Sequence, residues 1–355
     1  MSRWNAIRQF VPALYPNDAI GGHVSRLARG IRSAGIESEI FVAATQRATS
    51  TETRPFTALG PPTEGAVNVY HMATGCAMVD TLAARPEPLV TVHHNLTPLA
   101  LMAPWDNEQV HELTLARRQL ETLARRCDLG IGDSEFNRQE LERLGFSRTA
   151  RVPLVFDLGD TTPRSAGRSG DTVLFVGRIA PNKAQHDLIK ALAVLVESRP
   201  TATLRLVGAV ATPRYQQALE RLVEALGLTG RVVFTGQATE DELALEYANA
   251  SVLCCLSDHE GFGMPLIEAM ARGVPVVAFA STAVPETIGD GGLVLPAKDP
   301  ATVATALERV LGSDDLTTRL VEAGRRRAAS FTPRVAIDTF LEVIERLPDT
   351  GEVDR

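Results

Sequence analysis

A phosphate-binding turn is predicted in the second half of the sequence, where a glycine-rich segment follows an apolar run and precedes a helix. The apolar residues 250–256 are typical of a buried strand in a parallel sheet. Pro265 suits the first position of a helix, and Gly273 suits its C-terminal cap. Amides at a helix N-terminus have no partner within the helix, and the helix dipole favours an anion there. The backbone N–H groups predicted to face a phosphate are those of Phe262, Gly263 and Met264.

Two carboxylates, Glu260 and Glu268, flank this turn. A carboxylate beside a phosphate is repelled by it, so these side chains need a different ligand. Sugar hydroxyls donate hydrogen bonds to carboxylates, which only accept. We predict that Glu260 binds hydroxyls of a transferred sugar and that Glu268 binds a ribose. The chemistry alone supports equally well a second interpretation, in which Glu260 is a favourable charge at the helix N-terminus and Glu268 is a surface residue.

Two cations, Arg178 and Lys183, lie on a strand-to-helix turn earlier in the same half. Their spacing lets both side chains converge on one diphosphate. Fixed cations stabilise the negative charge that develops on a leaving diphosphate. Either residue alone is also typical of a solvated surface cation. Lysine is rare in this chain, however, since besides Lys183 only Lys190 and Lys298 occur among 36 basic residues.

The stretch from Glu260 to Ala278, E-G-F-G-M-P-L-I-E-A-M-A-R-G-V-P-V-V-A, resembles the signature of glycosyltransferase family 4, whose members are retaining enzymes with the GT-B fold. The resemblance is clear from Val173 to Ala297 and weaker in the first half of the chain. It implies transfer of a sugar from a nucleoside diphosphate sugar, without a protein nucleophile and with a phosphate oxygen helping to take the acceptor proton. One departure is Ala184, where family members often have glycine.

The resemblance also implies roles for individual residues. Those expected to be catalytic are His93, Arg178, Lys183 and Glu260. Those expected to bind the donor are Gly21, Gly22, Ser134, Gly177, Phe234, Gly236, Gln237, Gly261, Phe262, Gly263, Met264, Pro265, Leu266 and Glu268. Cations replace a metal in this scheme, so neither a metal ion nor a cofactor is expected besides the nucleotide-sugar co-substrate.

The first strand is predicted at residues 6–14, followed by a loop at 15–22 and a helix from His23. Open α/β sheets bind ligands at such a loop, beyond the carboxyl end of a strand. Gly21 and Gly22 allow backbone amides to approach a phosphate. The family's glycine pair usually lies about one helical turn further from the end of the helix. Gly21 and Gly22 are therefore interpreted equally well as a turn that leads into the helix.

Two adjacent histidines follow a strand predicted at residues 89–93. The resemblance implies that His93 reaches the transferred sugar. His94 points the other way in an extended chain and is the alternative. A histidine on a strand is also often a satisfied core residue. Ser134 lies at another strand end, where the resemblance again implies a side chain that faces the cleft.

The alternation of strands and helices predicts an α/β protein with two doubly wound Rossmann-like domains, which is the GT-B architecture with an interdomain cleft. The length of 355 residues is sufficient for two domains. The predicted organisation is an acceptor domain at 1–157, a linker at 158–171 rich in Gly, Ser, Thr and Pro, a donor domain at 172–333, and a helix at 334–355 that crosses back to the first domain and ends in a frayed tail.

The net charge of −7 does not suggest a nucleic-acid partner. The chain shows no signal peptide, no apolar run that could span a membrane and no metal-ligand spacing among its four cysteines, so a cytoplasmic location is expected. The helix predicted at 107–126 has an outward basic face that fits peripheral contact with anionic lipids, although a solvated face is the preferred interpretation. That face consists of Arg117, Arg118, Arg125 and Arg126. Glycan, lipid and small-molecule acceptors all remain open, as does the oligomeric state.

Three other function classes fit parts of the pattern. A sugar-nucleotide epimerase shares the GT-B fold but needs acid and base groups on both sides of the sugar. A non-catalytic nucleotide-sugar binding protein is disfavoured by the intact set of Arg178, Lys183, Glu260 and Glu268. A glycosidase is disfavoured because Glu260 and Glu268 come from one turn and its helix, and do not flank a bond.

Overall fold

The computed structural model describes residues 2–14, 19–43, 53–159 and 170–348. They form two compact units. The first comprises Met1–Leu99, Glu108–Asp157 and Phe331–Arg355, and the second comprises Ala100–Asn107 and Leu158–Ser330. The short segment 100–107 groups with the second unit, whereas the predicted acceptor domain at 1–157 included it. Most of the predicted linker, the tail beyond residue 348 and the loop residues 15–18 lie outside the described residues.

The first unit contains a seven-stranded parallel sheet with the order β3-β2-β1-β4-β5-β6-β7. Its strands are β1 (Ala6–Val11), β2 (Glu37–Val42), β3 (Thr53–Pro55), β4 (Ala66–Met72), β5 (Leu89–His93), β6 (Leu129–Gly132) and β7 (Thr149–Arg151). Strands β4, β5 and β6 are buried along their whole length, since both faces of a doubly wound sheet are covered.

The second unit contains a six-stranded parallel sheet with the order β10-β9-β8-β11-β12-β13. Its strands are β8 (Thr172–Val176), β9 (Thr203–Val207), β10 (Val232–Gly236), β11 (Val252–Cys255), β12 (Val276–Phe279) and β13 (Leu293–Leu295). Two doubly wound parallel sheets confirm the predicted α/β fold class.

Helices connect the strands and cover the faces of the sheets. They are α1 (Ala19–Ser33), α2 (Met78–Ala83), α3 (Leu99–Met102), α4 (Asn107–Arg126), α5 (Glu135–Arg143), α6 (Gln185–Ser198), α7 (Pro213–Ala225), α8 (Glu240–Asn249), α9 (Met264–Ala271), α10 (Val284–Ile288), α11 (Pro300–Gly312), α12 (Asp314–Ala328) and α13 (Pro333–Glu345). A 3₁₀ turn, Pro181–Lys183, precedes α6.

Helix α1 begins earlier than the sequence predicted. It starts at Ala19, so Gly21 and Gly22 lie in its first turns and not in a loop. The physical reason is that Ile20 extends the apolar face by one turn, since it packs against the cluster that contains Val24. The expectation of a loop through Gly22 was therefore wrong.

The last helix, α13, packs within the first unit. Phe340 and Ile344 are buried in the same cluster as Ile7 of β1 and Val67 of β4. The indole Nε1 of Trp4 donates a hydrogen bond to the carbonyl of Ile344 at 3.0 Å. The C-terminal segment thus completes a core that the first strands begin.

The basic face of α4 is less exposed than predicted. Arg117 donates to the carbonyls of Leu96 and Thr97 at 3.1 and 3.3 Å. Arg126 donates to three carbonyls, those of Ala83, Arg85 and Glu87. Both side chains hold neighbouring loops, which leaves only Arg118 and Arg125 on the solvated face. Within the ranges that the structure describes, no helix is both long and apolar enough to cross a bilayer.

Two turns at the carboxyl edge of the second sheet touch through their backbones, at Gly177 and Gly208. A Cβ on Gly208 would lie 2.1 Å from the carbonyl oxygen of Gly177, and the φ of Gly208 is +148°. We expect Gly208→Ala to lower the free energy of unfolding by about 3 kcal/mol or more, because backbone atoms cannot move away as a side chain can.

Gly230 is the matched control for Gly208. Its φ is +81°, and a Cβ there would have no neighbour within 4 Å. Gly230→Ala should therefore cost only the conformational term of about 1–2 kcal/mol. Urea denaturation of both variants tests this, and equal losses would contradict the close approach of the two turns.

Candidate functional site

The strand order of the second sheet reverses between β8 and β11, and ligands of open α/β sheets bind beyond the carboxyl ends of the strands at such a point. The segment that follows β8 carries Arg178 and Lys183, and the segment that follows β11 carries Glu260. The topology therefore brings the predicted cations and the first predicted carboxylate to one crevice. We call this the β8–β11 crevice.

Lys183 and Glu260 form an ion pair across the β8–β11 crevice. Lys183 Nζ donates to Glu260 Oε2 at 2.7 Å, and their side chains are 17% and 11% exposed. The other carboxylate oxygen, Oε1, accepts a hydrogen bond from Ser257 Oγ at 2.7 Å. The pair is largely shielded from water, so its mutual attraction is stronger than that of an exposed pair.

The backbones of the two segments are also joined. The carbonyl of Asn182 accepts a hydrogen bond from the N–H of Asp258 at 2.9 Å, and Asn182 Nδ2 donates to the carbonyl of His259 at 3.3 Å. Thr282 Oγ1 accepts from the N–H of Glu260 at 2.8 Å and donates to its carbonyl at 2.7 Å. The position of the Glu260 side chain is thus determined by backbone contacts on both sides.

The predicted phosphate turn ends at α9, which begins at Met264, one residue before the predicted Pro265. Gly263 is the N-terminal cap with a φ of +86°, a conformation that favours glycine. Phe262 is buried, and its carbonyl accepts a hydrogen bond from Thr287 Oγ1 at 2.5 Å. Of the other predicted donor contacts here, Gly261 and Pro265 are half-buried and Leu266 is buried.

Glu268 lies one turn into α9. Its Oε2 accepts a hydrogen bond from the hydroxyl of Tyr247 at 2.7 Å. Burial, and then the neighbouring Glu268 charge, raise the pKa of Tyr247 well above its usual value, so that hydroxyl stays a donor. The tyrosine fixes the orientation of the carboxylate that is predicted to bind a ribose.

Arg178 is exposed, and no hydrogen bond or ion pair joins its side chain to another described residue. Its carbonyl accepts from Gln185 Nε2 at 2.8 Å, which ties its backbone to the start of α6. The preceding Gly177 makes the turn after β8. The structure thus pairs Lys183 with Glu260, and within the described residues it shows no hydrogen bond or ion pair from the Arg178 side chain to either of them.

The predicted base-binding residues lie at the end of β10. Phe234 is half-buried, Gly236 has a φ of +72°, and Gln237 is exposed. The carbonyl of Gly236 accepts from the N–H of Gly208 at 2.9 Å. The end of β10 is therefore joined to the turn after β9.

In the first unit, His93 and His94 have different partners. His93 is fully buried, and its Nε2 lies 3.0 Å from Glu140 Oε2 of α5. His94 Nε2 lies 3.0 Å from His71 Nδ1. Ser134 is also buried, and its hydroxyl caps α5 by accepting from the N–H of the third residue after it at 3.2 Å. The role of His93 at the sugar stays a prediction, and Ser134 has a structural function whether or not it meets a ligand.

A group of three histidines lies at the carboxyl edge of the first sheet, formed by His23 of α1, His71 of β4 and His94 after β5. One ring nitrogen of each lies within 4.8 Å of the others. Three imidazole nitrogens so close together can in principle hold a zinc ion.

The hydrogen bonds of these histidines are better explained by protons on the ring nitrogens than by a bound metal ion. The N–H of Val155 donates to His23 Nδ1 at 2.8 Å, so neutral His23 carries its own proton on the buried Nε2. A protonated nitrogen cannot ligate a metal. Burial, and next the charge of His94, lower the pKa of both His23 and His71 well below the ordinary value. The expected absence of a metal remains a prediction.

Comparison with known proteins agrees with this geometry. Residues 165–327 match the family described as Glycosyl transferases group 1. A D-inositol 3-phosphate glycosyltransferase from Frankia alni is 38% identical over 172 residues, which are 46% of this chain and 42% of that protein. A phosphatidyl-myo-inositol mannosyltransferase from Mycobacterium leprae is 30% identical over 280 residues, which are 74% of this chain and 68% of that protein.

The chain belongs to the group 1 glycosyltransferases. This family corresponds to the family 4 enzymes predicted from the sequence. The matched segment spans less than half of the length of the Frankia protein. The structure of HepE from Anabaena in complex with UDP-glucose has a TM-score of 0.75 to this group 1 glycosyltransferase at 19% identity, covering 96% of this chain and 100% of that one. This likeness confirms the GT-B fold.

Several residues that organise the crevice were not predicted from the sequence. Ser257 and Thr282 hold Glu260, and Tyr247 holds Glu268. Serine and threonine are common in loops and an aromatic residue is common on the buried face of a helix, so the residue types alone did not indicate these contacts. The rarity of lysine was a usable signal for Lys298, which binds Asp258 in the Glu260 segment.

Thr282 offers a test of how Glu260 is held. Thr282→Val keeps the shape of the side chain but removes the hydroxyl that both accepts from and donates to the Glu260 backbone. We expect a loss of about 1–3 kcal/mol in the free energy of unfolding, because a part-buried N–H loses its acceptor. Thr282→Ser retains the hydroxyl and should lose less in the same urea titration. A loss for Thr282→Val no larger than that for Thr282→Ser would contradict a dominant contribution of the hydroxyl.

Proposed function

We propose that this group 1 glycosyltransferase transfers a hexose, with retention of anomeric configuration, from a nucleoside diphosphate sugar to a hydroxyl acceptor. The observation that carries the proposal is the ion pair of Lys183 and Glu260 at 2.7 Å in the β8–β11 crevice. A cation next to a carboxylate that binds hydroxyls is the arrangement needed where a sugar joins a diphosphate.

In the proposed complex, Lys183 binds both Glu260 and the diphosphate of the donor. An ammonium has three N–H donors, of which one reaches Glu260, so two remain for phosphate oxygens. Arg178 supplies the second cation, and the amides of the turn before α9 supply neutral donors. Glu260 accepts hydrogen bonds from the sugar, and Glu268 accepts them from the ribose. The base lies near Phe234 and the other residues at the end of β10.

The proposed reaction needs no protein nucleophile. The acceptor oxygen forms a bond to the anomeric carbon on the face from which the diphosphate departs, and the bond between that carbon and the diphosphate oxygen breaks. The acceptor proton passes to an oxygen of the leaving diphosphate. The two cations stabilise the charge that develops on that group, and they do so most strongly where water is excluded. His93 is proposed to contact the sugar.

The relatives suggest the substrates. HepE has been solved with UDP-glucose, and the two sequence relatives are named for inositol phosphate and phosphatidylinositol chemistry. We therefore propose a UDP-hexose as donor and an inositol-bearing phosphate, free or in a lipid, as acceptor.

Product analysis tests the function. The full chain is incubated with UDP-glucose or UDP-mannose and with inositol phosphate or phosphatidylinositol vesicles, in the presence of EDTA. Release of UDP together with a glycosylated acceptor is the expected result. An epimerised nucleotide sugar would instead favour the epimerase alternative, and activity that requires an added divalent ion would contradict the proposed role of the cations.

The donor base can be identified by thermal shift. We expect one of UDP, GDP and ADP to raise the melting temperature more than the others, because a ligand that binds only the folded state stabilises it by mass action. UDP is the expected one. Equal and negligible shifts for all three would contradict a nucleotide site.

Lys183→Ala and Arg178→Ala are expected to reduce turnover at least tenfold with the fold retained, because each removes a charge that stabilises the leaving diphosphate. Lys190→Ala is the matched control, since Lys190 is 45% exposed and lies outside the crevice. Steady-state rates and melting temperatures are measured for all three. A change of less than tenfold in both site variants would overturn the diphosphate assignment.

A further inference from the structure

Lys298 joins the two segments that form the β8–β11 crevice. Its Nζ donates to Asp258 Oδ1 at 2.6 Å, to Asp187 Oδ2 at 2.8 Å and to the carbonyl of Leu256 at 3.3 Å. An ammonium has three N–H groups, so this side chain is fully engaged. It also lies 5.3 Å from the centre of the Phe279 ring, and it is 19% exposed.

The two acids bound by Lys298 lie directly beside the site residues. Asp187 is in the first turn of α6, immediately after the 3₁₀ turn that ends at Lys183. Asp258 lies two positions before Glu260, and its N–H bonds to the residue before Lys183. One cation therefore connects the segment of Lys183 to the segment of Glu260, independently of the ion pair between those two residues.

Both acids carry a charge that opposes a diphosphate ligand. Burial by itself raises the pKa of Asp187, but the hydrogen bond from Lys298 and the nearby cations outweigh it and lower the pKa below its ordinary value. Asp187 is thus ionised at neutral pH. Without Lys298, two neighbouring carboxylates would repel the donor's phosphates and compete with Glu260 for Lys183.

We propose that Lys298 is a positioning residue for sugar transfer, which neutralises Asp187 and Asp258 and holds the segments of Lys183 and Glu260 at the spacing that a diphosphate requires. This inference rests on the proposed function. Lys298 itself does not touch the donor, because its three N–H groups are already bound to protein oxygens.

Lys298→Met tests the proposal with a side chain of similar length and no charge. We expect the dissociation constant of the nucleoside diphosphate identified by thermal shift, and KM for its sugar, to rise about tenfold or more, with a smaller change in kcat. Lys298→Arg keeps the charge and should recover most of the affinity. Lys190→Met removes the other lysine near Asp187, at 3.4 Å, and should change binding less than about twofold, as expected for an exposed ion pair.

The contribution of charge is separated from packing by two further measurements. Adding Asp258→Asn to Lys298→Met should restore part of the lost affinity, since it removes one of the repelling charges. The affinity for the nucleoside without phosphates should change little in Lys298→Met. Equal weakening of nucleoside and nucleoside diphosphate, or no rescue by Lys298→Arg, would show that Lys298 is only a structural residue and overturn the proposal.

The role of Lys298 is tested by nucleotide binding, so it can be judged separately from the proposed sugar transfer. If the wild-type chain binds a nucleoside diphosphate but transfers no sugar, the proposed function fails while the binding comparison still decides the role of Lys298. If the wild-type chain binds none of the nucleotides, the donor site is wrong and the proposal is overturned with it.

Discussion

The ion pair of Lys183 and Glu260 is the interaction on which the architecture of the site depends. It exists because β8 and β11 are neighbours in the sheet although 77 positions separate the two residues. Around it, Ser257 fixes one carboxylate oxygen and Thr282 fixes the backbone. A charge pair in a shielded place is costly unless its polar atoms are satisfied, and these contacts satisfy both carboxylate oxygens of Glu260.

The second unit thus separates two tasks. Hydroxyl groups determine where the carboxylates point, as that of Ser257 does for Glu260 and that of Tyr247 does for Glu268. Glycines with positive φ allow close packing of the backbone, against the turn after β8 at Gly208 and against Leu266 of α9 at Gly263. The first set acts through hydrogen bonds and the second through the absence of a Cβ, so neither can replace the other.

Much of the fold could be predicted from the sequence, because the spacing of the apolar residues and the positions of the turn residues indicate the same helices and strands. The strand Leu89–His93 and the helix Asn107–Arg126 were predicted with the bounds that the structure has. The start of α1 was missed because Gly21 and Gly22 were interpreted as loop residues, whereas the apolar face begins before them at Ile20. Contacts between distant segments could not be predicted, since no local sequence pattern indicates that Arg117 and Arg126 donate to backbone carbonyls. The resemblance identified Lys183 and Glu260 individually, but their direct pairing is a property of the strand order.

The long sequence separation between Lys183 and Glu260 affects how the second unit folds. The proposed anion site does not exist in any fragment that stops before β11, because its two halves lie in different crossovers. Pairing of such distant segments is slow compared with the formation of local helices. A diphosphate that binds as proposed recognises only the completed second sheet, and its binding favours that state over any partly assembled form.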